Sequence, residues 1–281
     1  MYHIKILLTL FLSASISLLN AQQLPFKVEV VGHGDPVLLF PGFTCTGEVW
    51  AETVDQLKET HECHIFTFAG FGDVPAVEKP WLPKIKTGIE HYIEENKLSK
   101  PDLVGHSVGG TLALWLASDH PDTYGQLVLV DAIPATAAIM MPNVKNEDIT
   151  YDNPYNDQML NMSADEFKIV AAQMAAGMTL NEEKRDQLEK WITIADRKTY
   201  VYGFTDLLKL DLRDQLDKIK TPVTILAATE PYGKETVAKN YKAQYANLAD
   251  YRIFFAENSA HFIMYDRPAW FLEKIKEAFA K

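Results

Sequence analysis

Apolar and polar positions alternate between two regimes along this chain. Short, largely apolar runs at 37–40, 103–104, 127–130 and 222–228 read as strands buried on both faces. Residues 26–31 alternate in polarity and end at Gly32-His33-Gly34-Asp35-Pro36, a turn composition between two strands. Residues 64–68 and 251–255 read as further strands. Between the runs stand stretches with helical spacing. The spacing predicts helices over 48–59, with Trp50, Val54 and Leu57 on one side, and over 84–97, with Ile85, Ile89 and Ile93 four apart. It predicts others over 108–117, 234–246 and 268–279. Strand and helix in regular alternation mean a mostly parallel sheet covered by helices on both faces.

The alternation stops after Pro134. From there to about Leu212 no buried strand is legible, only helical stretches at 164–176, 182–195 and about 200–208. The strand–helix pattern then resumes. The chain therefore divides into one α/β core, residues 22–133 and 213–281, interrupted by a helical insertion over 134–212. Its 281 residues suit one large domain of this kind.

Residues 1–21 follow neither regime. Lys5 precedes an apolar run from Ile6 to Leu19, broken only by Thr and Ser, and Asn20-Ala21 leads into polar Gln22-Gln23. This is the charged, apolar and small-residue order of a secretory signal peptide. The run is shorter than the roughly 20 apolar residues of a membrane-spanning helix. The expectation is an exported protein, periplasmic or secreted, that begins at Gln22 and has no stable membrane insertion; a retained anchor is the alternative. In the export compartment Cys45 and Cys63 would be free to oxidise, but they flank opposite ends of neighbouring parallel strands, too far apart to bridge. A net charge of −11 lacks the basic footprint that nucleic acid requires.

Gly105-His106-Ser107-Val108-Gly109 is a G-x-S-x-G pentapeptide between an apolar strand and an apolar helix. A nucleophile elbow needs that setting, because glycines flanking the serine allow a sharp turn that holds its hydroxyl above the sheet edge. A serine hydroxyl needs a base. Among eight histidines, His261 lies in the loop between the last strand and the last helix, where the chain order Ser…Asp/Glu…His requires it. His106 lies within the elbow and is expected to point away from Ser107. His33, His61, His64, His91 and His120 fall in turns, at strand starts or on helices. The acid that holds the histidine tautomer is either Asp131, at the end of 127–130, or Glu230, after 222–229. Two backbone donors should receive the oxyanion: the N–H of Val108, and that of Phe43 in the Pro41-Gly42-Phe43-Thr44 loop. No spacing implies a metal, nucleotide or redox cofactor.

Together these motifs resemble the α/β-hydrolase superfamily, in its lid-bearing esterase and proline iminopeptidase-like branch. The resemblance runs over nearly the whole chain after residue 21. Leu38-Leu39-Phe40-Pro41-Gly42-Phe43 with Trp50 is similar to the family's oxyanion block, with Pro41 where histidine is usual. Phe68-Ala69-Gly70-Phe71-Gly72 is similar to its next block, without the usual aspartate and arginine. Ala260-His261-Phe262 with Pro268 is similar to its histidine block. The usual aspartate after the penultimate strand is missing, and Glu230 is the nearest acid. The resemblance implies that the insertion is a lid and that the substrate is a small acyl compound, cleaved through an acyl-enzyme on Ser107. Relatives that open epoxides or dehalogenate carry aspartate at this position, so Ser107 argues against both. Met140, Met141, Met159, Met162, Met174 and Met178 could line an adaptable apolar pocket, or, more simply for any one of them, pack the insertion against the core. For the aminopeptidase alternative, Asp152, Asp157, Asp165 and Glu166 would bind a free amine, although solvated helix faces explain these acids equally well. A non-catalytic binding protein on the same scaffold is a further, weaker alternative. Oligomeric state is not legible.

Overall fold

The structure, a computed structural model, describes residues 24–280; the segment expected to be a signal peptide lies outside the described residues. Seven strands form one sheet: β1 (Phe26–Gly32), β2 (Asp35–Phe40), β3 (His61–Phe68), β4 (Asp102–His106), β5 (Leu127–Val130), β6 (Val223–Ala228) and β7 (Tyr251–Ala256), in the order β1-β3-β2-β4-β5-β6-β7. Only β1 runs antiparallel; it pairs with β3, which inserts between β1 and β2. The remaining strands are parallel, as runs buried on both faces require.

Strand alternation splits the core in two. Leu38 and Phe40 face one side with Phe66 and Phe68, against α2 (Trp81–Glu95) and α3 (Val108–Asp119). Val37 and Leu39 face the other with Cys63, against α1 (Ala51–Leu57) and α11 (Pro268–Phe279). In α2 the Ile85, Ile89 and Ile93 stripe is buried as its spacing predicts.

The helical insertion between β5 and β6 comprises α4 (Ala137–Met140), α5 (Pro154–Asn161), α6 (Ala164–Met178), α7 (Glu182–Ile194) and α8 (Arg197–Lys209). It has its own small core of Met159, Phe167, Ala171, Ile192, Tyr200 and Val201. Sequence periodicity missed α4 and α5. The second carries a local signal, Asn153 as N-cap accepting from the Asn156 N–H with Pro154 in the first turn. After β6 come α9 (Lys234–Gln244) and, beyond β7, the short α10 (Ile263–Asp266) that leads into α11.

Several boundaries move. The predicted helix over 48–59 divides into a 3-10 turn, Gly47–Trp50, and α1. β3 begins at His61 rather than His64, so Cys63 lies inside the strand, opposite Val37, and not before it. Both cysteines are free and buried; burial holds both thiols above the usual range, Cys63 at about 11. Helix α2 begins at Trp81 instead of Lys84. Its first N–H groups, of Trp81 and Leu82, donate to the Asp206 carboxylate on α8 at 2.5 and 3.1 Å, a cap supplied from far along the chain. Among the described residues no helix is long and apolar enough to cross a membrane.

Candidate active site

Ser107 stands alone between the end of β4 and the start of α3, at φ 54° and ψ −122°. A non-glycine residue in that conformation is strained and persists only where its surroundings hold it. They do: the Ser107 N–H donates to the Val130 carbonyl on β5 at 2.9 Å, and its own carbonyl accepts from Gly110 and Thr111 at 2.9 and 3.0 Å. The turn also needs its glycines. A Cβ on Gly105 would lie 2.3 Å from the Gly109 carbonyl oxygen, and one on Gly109 would lie 2.4 Å from the Phe40 carbonyl oxygen. The elbow is thus packed backbone to backbone against the end of β2.

The loop following β2 carries Pro41-Gly42-Phe43-Thr44. Among the described residues, the N–H groups of Phe43 and Val108 have no hydrogen-bond acceptor. The Phe43 ring is held in place by Phe71, Trp81, Tyr200 and Phe204, with centroids 5.0–5.9 Å away. Tyr200 and Phe204 belong to α8, so the insertion packs directly on this loop.

Of the two candidate acids, the structure brings Asp131 to His261. His261 Nδ1 donates to Asp131 Oδ2 at 2.7 Å, and side-chain exposures of 29% and 18% leave the pair only partly wet. A carboxylate can only accept, so Nδ1 carries a proton, and in the neutral ring Nε2 presents its lone pair. The other carboxylate oxygen, Asp131 Oδ1, accepts from the Ala228 N–H at 3.0 Å and the Tyr241 hydroxyl at 2.9 Å. Burial, and then the Asp131 charge, hold the Tyr241 hydroxyl well above its ordinary range, so it remains a donor. Sequence reasoning missed Tyr241; nothing in the α9 pattern marks it. Glu230 does not reach His261. Its N–H donates to the Ser259 carbonyl at 2.9 Å, and among the described residues its carboxylate meets the neighbouring Thr229 hydroxyl, at 3.5 Å.

His106 lies behind the elbow, fully buried. Its Nε2 donates to the His261 carbonyl at 3.0 Å, and its ring lies 4.6 Å from those of both His261 and Phe262. Its Nδ1 has no partner and faces Gly42, where a Cβ would come within 2.5 Å. Burial first, then the neighbouring His261, hold His106 well below the usual histidine range, so this ring is neutral. His261 is bonded to Asp131 through Nδ1 and to His106 through its carbonyl, and no hydrogen bond joins it to Ser107.

For the insertion residues, which could either serve the site or simply pack and cap, the structure shows packing and capping roles. Met159, Met162 and Met174 belong to the insertion's own core, Met178 packs on the main core, and Met140 is exposed. Glu166 closes a capping box with Ser163 at the start of α6, Asp157 and Asp165 occupy first helical turns, and Asp152 is exposed beside Lys79. Among the described residues no group of three or more His, Cys, Asp or Glu side chains is arranged to hold a metal ion.

Comparison with known proteins places this geometry in context. A model of the alpha/beta hydrolase family matches residues 37–274. A pimeloyl-[acyl-carrier protein] methyl ester esterase from Vibrio cholerae is 24% identical over 69% of this chain and 75% of its own length. One from Aeromonas hydrophila is 29% identical over 70% and 77%. The solved structure of an esterase from Exiguobacterium antarcticum superposes with a TM-score of 0.74 at 18% identity, covering 90% of this chain and 94% of that one, which speaks to the fold alone.

Proposed function

The chain belongs to the alpha/beta hydrolase family and is a hydrolase, and from that premise we propose that it cleaves small carboxylic esters through an acyl-enzyme on Ser107. The observation that carries the reading is the Asp131–His261 pair, 2.7 Å across, beside a strained serine whose turn is held by backbone contacts.

In this mechanism Ser107 Oγ attacks the ester carbonyl carbon while His261 Nε2 takes its proton. Asp131 keeps the proton on Nδ1 and stabilises the imidazolium. The carbonyl oxygen becomes an oxyanion and accepts from the unpaired N–H groups of Phe43 and Val108; loss of one such donor typically costs about 2.7–4 kcal/mol. Collapse breaks the ester C–O bond, and the alcohol leaves with the His261 proton. Water then attacks the acyl-enzyme, gives its proton to Nε2, and releases the carboxylic acid with Ser107 restored. The insertion acts as the lid, with α8 reaching the Phe43 loop through Tyr200 and Phe204.

Ester chemistry is favoured over aminopeptidase chemistry because the insertion carboxylates are engaged as helix caps or are solvent-exposed. The names of the relatives, methyl ester esterases, point the same way. A panel of p-nitrophenyl esters of increasing acyl length, run beside prolyl p-nitroanilide, tests the reading. Ester turnover that falls with acyl length is expected; turnover of the anilide alone would overturn it.

A further inference from the structure

The loop that carries His261 is held by more than its own strand and helix. Asp266, at the end of α10, sends one carboxylate oxygen to each side of a seam. Its Oδ2 accepts from the Ala260 N–H at 2.7 Å, one residue before His261. Its Oδ1 accepts three donors from the turn between α6 and α7 of the insertion: the Thr179 hydroxyl at 2.5 Å, the Leu180 N–H at 2.9 Å and the Asn181 N–H at 3.1 Å. On the other side of His261, the Phe262 N–H donates to the carbonyl of Met178, the last residue of α6, at 3.1 Å. Asn181 Nδ2 adds a bond to the Tyr265 carbonyl at 3.3 Å. Thr179 is fully buried in this joint and Ala260 nearly so.

The consequence is mechanical. Backbone groups on both flanks of His261 are fixed, directly or through one carboxylate, to the same turn of the insertion. The His261 carbonyl is fixed in turn to His106 behind the elbow. A carboxylate receiving four donors makes charge-assisted bonds, roughly twice as strong as neutral ones. No neutral side chain of similar size can accept all four, because an amide would set its own N–H₂ against donors on one side of the seam.

We propose that Asp266 is a positioning residue, latching the α6–α7 turn to the histidine loop so that the insertion sets the placement of His261 rather than only roofing the site. This rests on the reading of Ser107 as nucleophile and His261 as its base. It predicts that opening of the insertion hinges elsewhere, since this turn and the histidine loop move as one body.

The experiment follows covalent labelling of Ser107 by a fluorophosphonate probe, resolved into a maximal rate and a half-saturating probe concentration. Asp266→Asn is expected to lower the maximal rate at least tenfold with half-saturation changed less than twofold, and Asp266→Glu to recover part of the loss. Thr179→Val, which touches neither Ser107 nor His261 and keeps the size of the side chain, is expected to lower the maximal rate several-fold. A role confined to stability would lower the melting temperature and leave the maximal rate per folded molecule unchanged. That result in Asp266→Asn, or in Thr179→Val should Asp266→Asn fail to fold, overturns the latch. Wild-type protein that takes no label at all would instead overturn the serine-nucleophile reading on which the latch rests.

Discussion

Replacing Asp131 with asparagine changes one atom and, on this structure, should almost abolish turnover. The amide has to choose an orientation. Asp131 Oδ1 accepts from two donors, the Ala228 N–H at 3.0 Å and the Tyr241 hydroxyl at 2.9 Å, while Oδ2 meets only His261 Nδ1 at 2.7 Å. A hydroxyl can rotate, but the Ala228 N–H belongs to β6 and cannot. An asparagine must therefore keep its carbonyl oxygen toward Ala228 and turn its N–H₂ toward His261. Nδ1 then becomes an acceptor, the ring proton moves to Nε2, and the imidazole faces Ser107 as a donor that cannot take its proton. A wrong tautomer of this kind costs on the order of 10⁴ in kcat, or about 5.4 kcal/mol of transition-state stabilisation at about 1.36 kcal/mol per decade. Fold stability should change little, because the carbonyl keeps its two donors. Steady-state hydrolysis of p-nitrophenyl acetate by Asp131→Asn and Glu230→Gln, each with its melting curve, gives the comparison. The reasoning is refuted if Asp131→Asn stays within tenfold of wild type, or if Glu230→Gln loses as much.

Gly109→Ala would put a Cβ 2.4 Å from the Phe40 carbonyl oxygen and 2.7 Å from that of Pro41, both backbone atoms that cannot swing aside. A loss of about 1–3 kcal/mol is expected, with a kcat drop from displacement of the Phe43 loop; thermal melts and kcat measured together check it. Acid should weaken the fold through His106 and His64. Burial first lowers the proton affinity of each, with the neighbouring His261 adding at His106 and Glu62 opposing at His64. Each binds a proton less readily folded than unfolded, so below the unfolded histidine value of about pH 6.5 the unfolded state holds more protons and stability falls as the pH drops. His106 contributes at most about 1.4 kcal/mol per pH unit, and His106→Gln should flatten the slope of urea-unfolding free energy between pH 7.5 and 5.5; an unchanged slope would contradict the assignment.

The α/β core was legible because its strands are short apolar runs and its helices carry stripes, both of which follow from burial on two faces. Ser107 and the histidine loop were legible because an elbow needs glycines at fixed offsets, and because chain order limits where the base can stand. What stayed hidden depends on partners distant in the chain. Asp131 and Glu230 could not be separated, since the choice is made by which strand end faces His261 and by Tyr241, a residue with no local mark. The start of α2 was missed because its cap, Asp206, lies on another helix. Asp266 was invisible for the same reason: three of its four donors come from the insertion. His106 was expected to point away from Ser107, and its ring lies behind the elbow on His261.

The central claim is that Ser107 is the nucleophile. Intact-mass analysis after treatment with a fluorophosphonate tests it most directly, paired with ester turnover by the same samples. Wild-type protein should gain one phosphonyl adduct, mapped to Ser107, and lose all turnover in step with labelling, while Ser107→Ala takes no adduct and cleaves no ester. Undiminished turnover in Ser107→Ala, or an adduct on another residue that abolishes turnover, would contradict it.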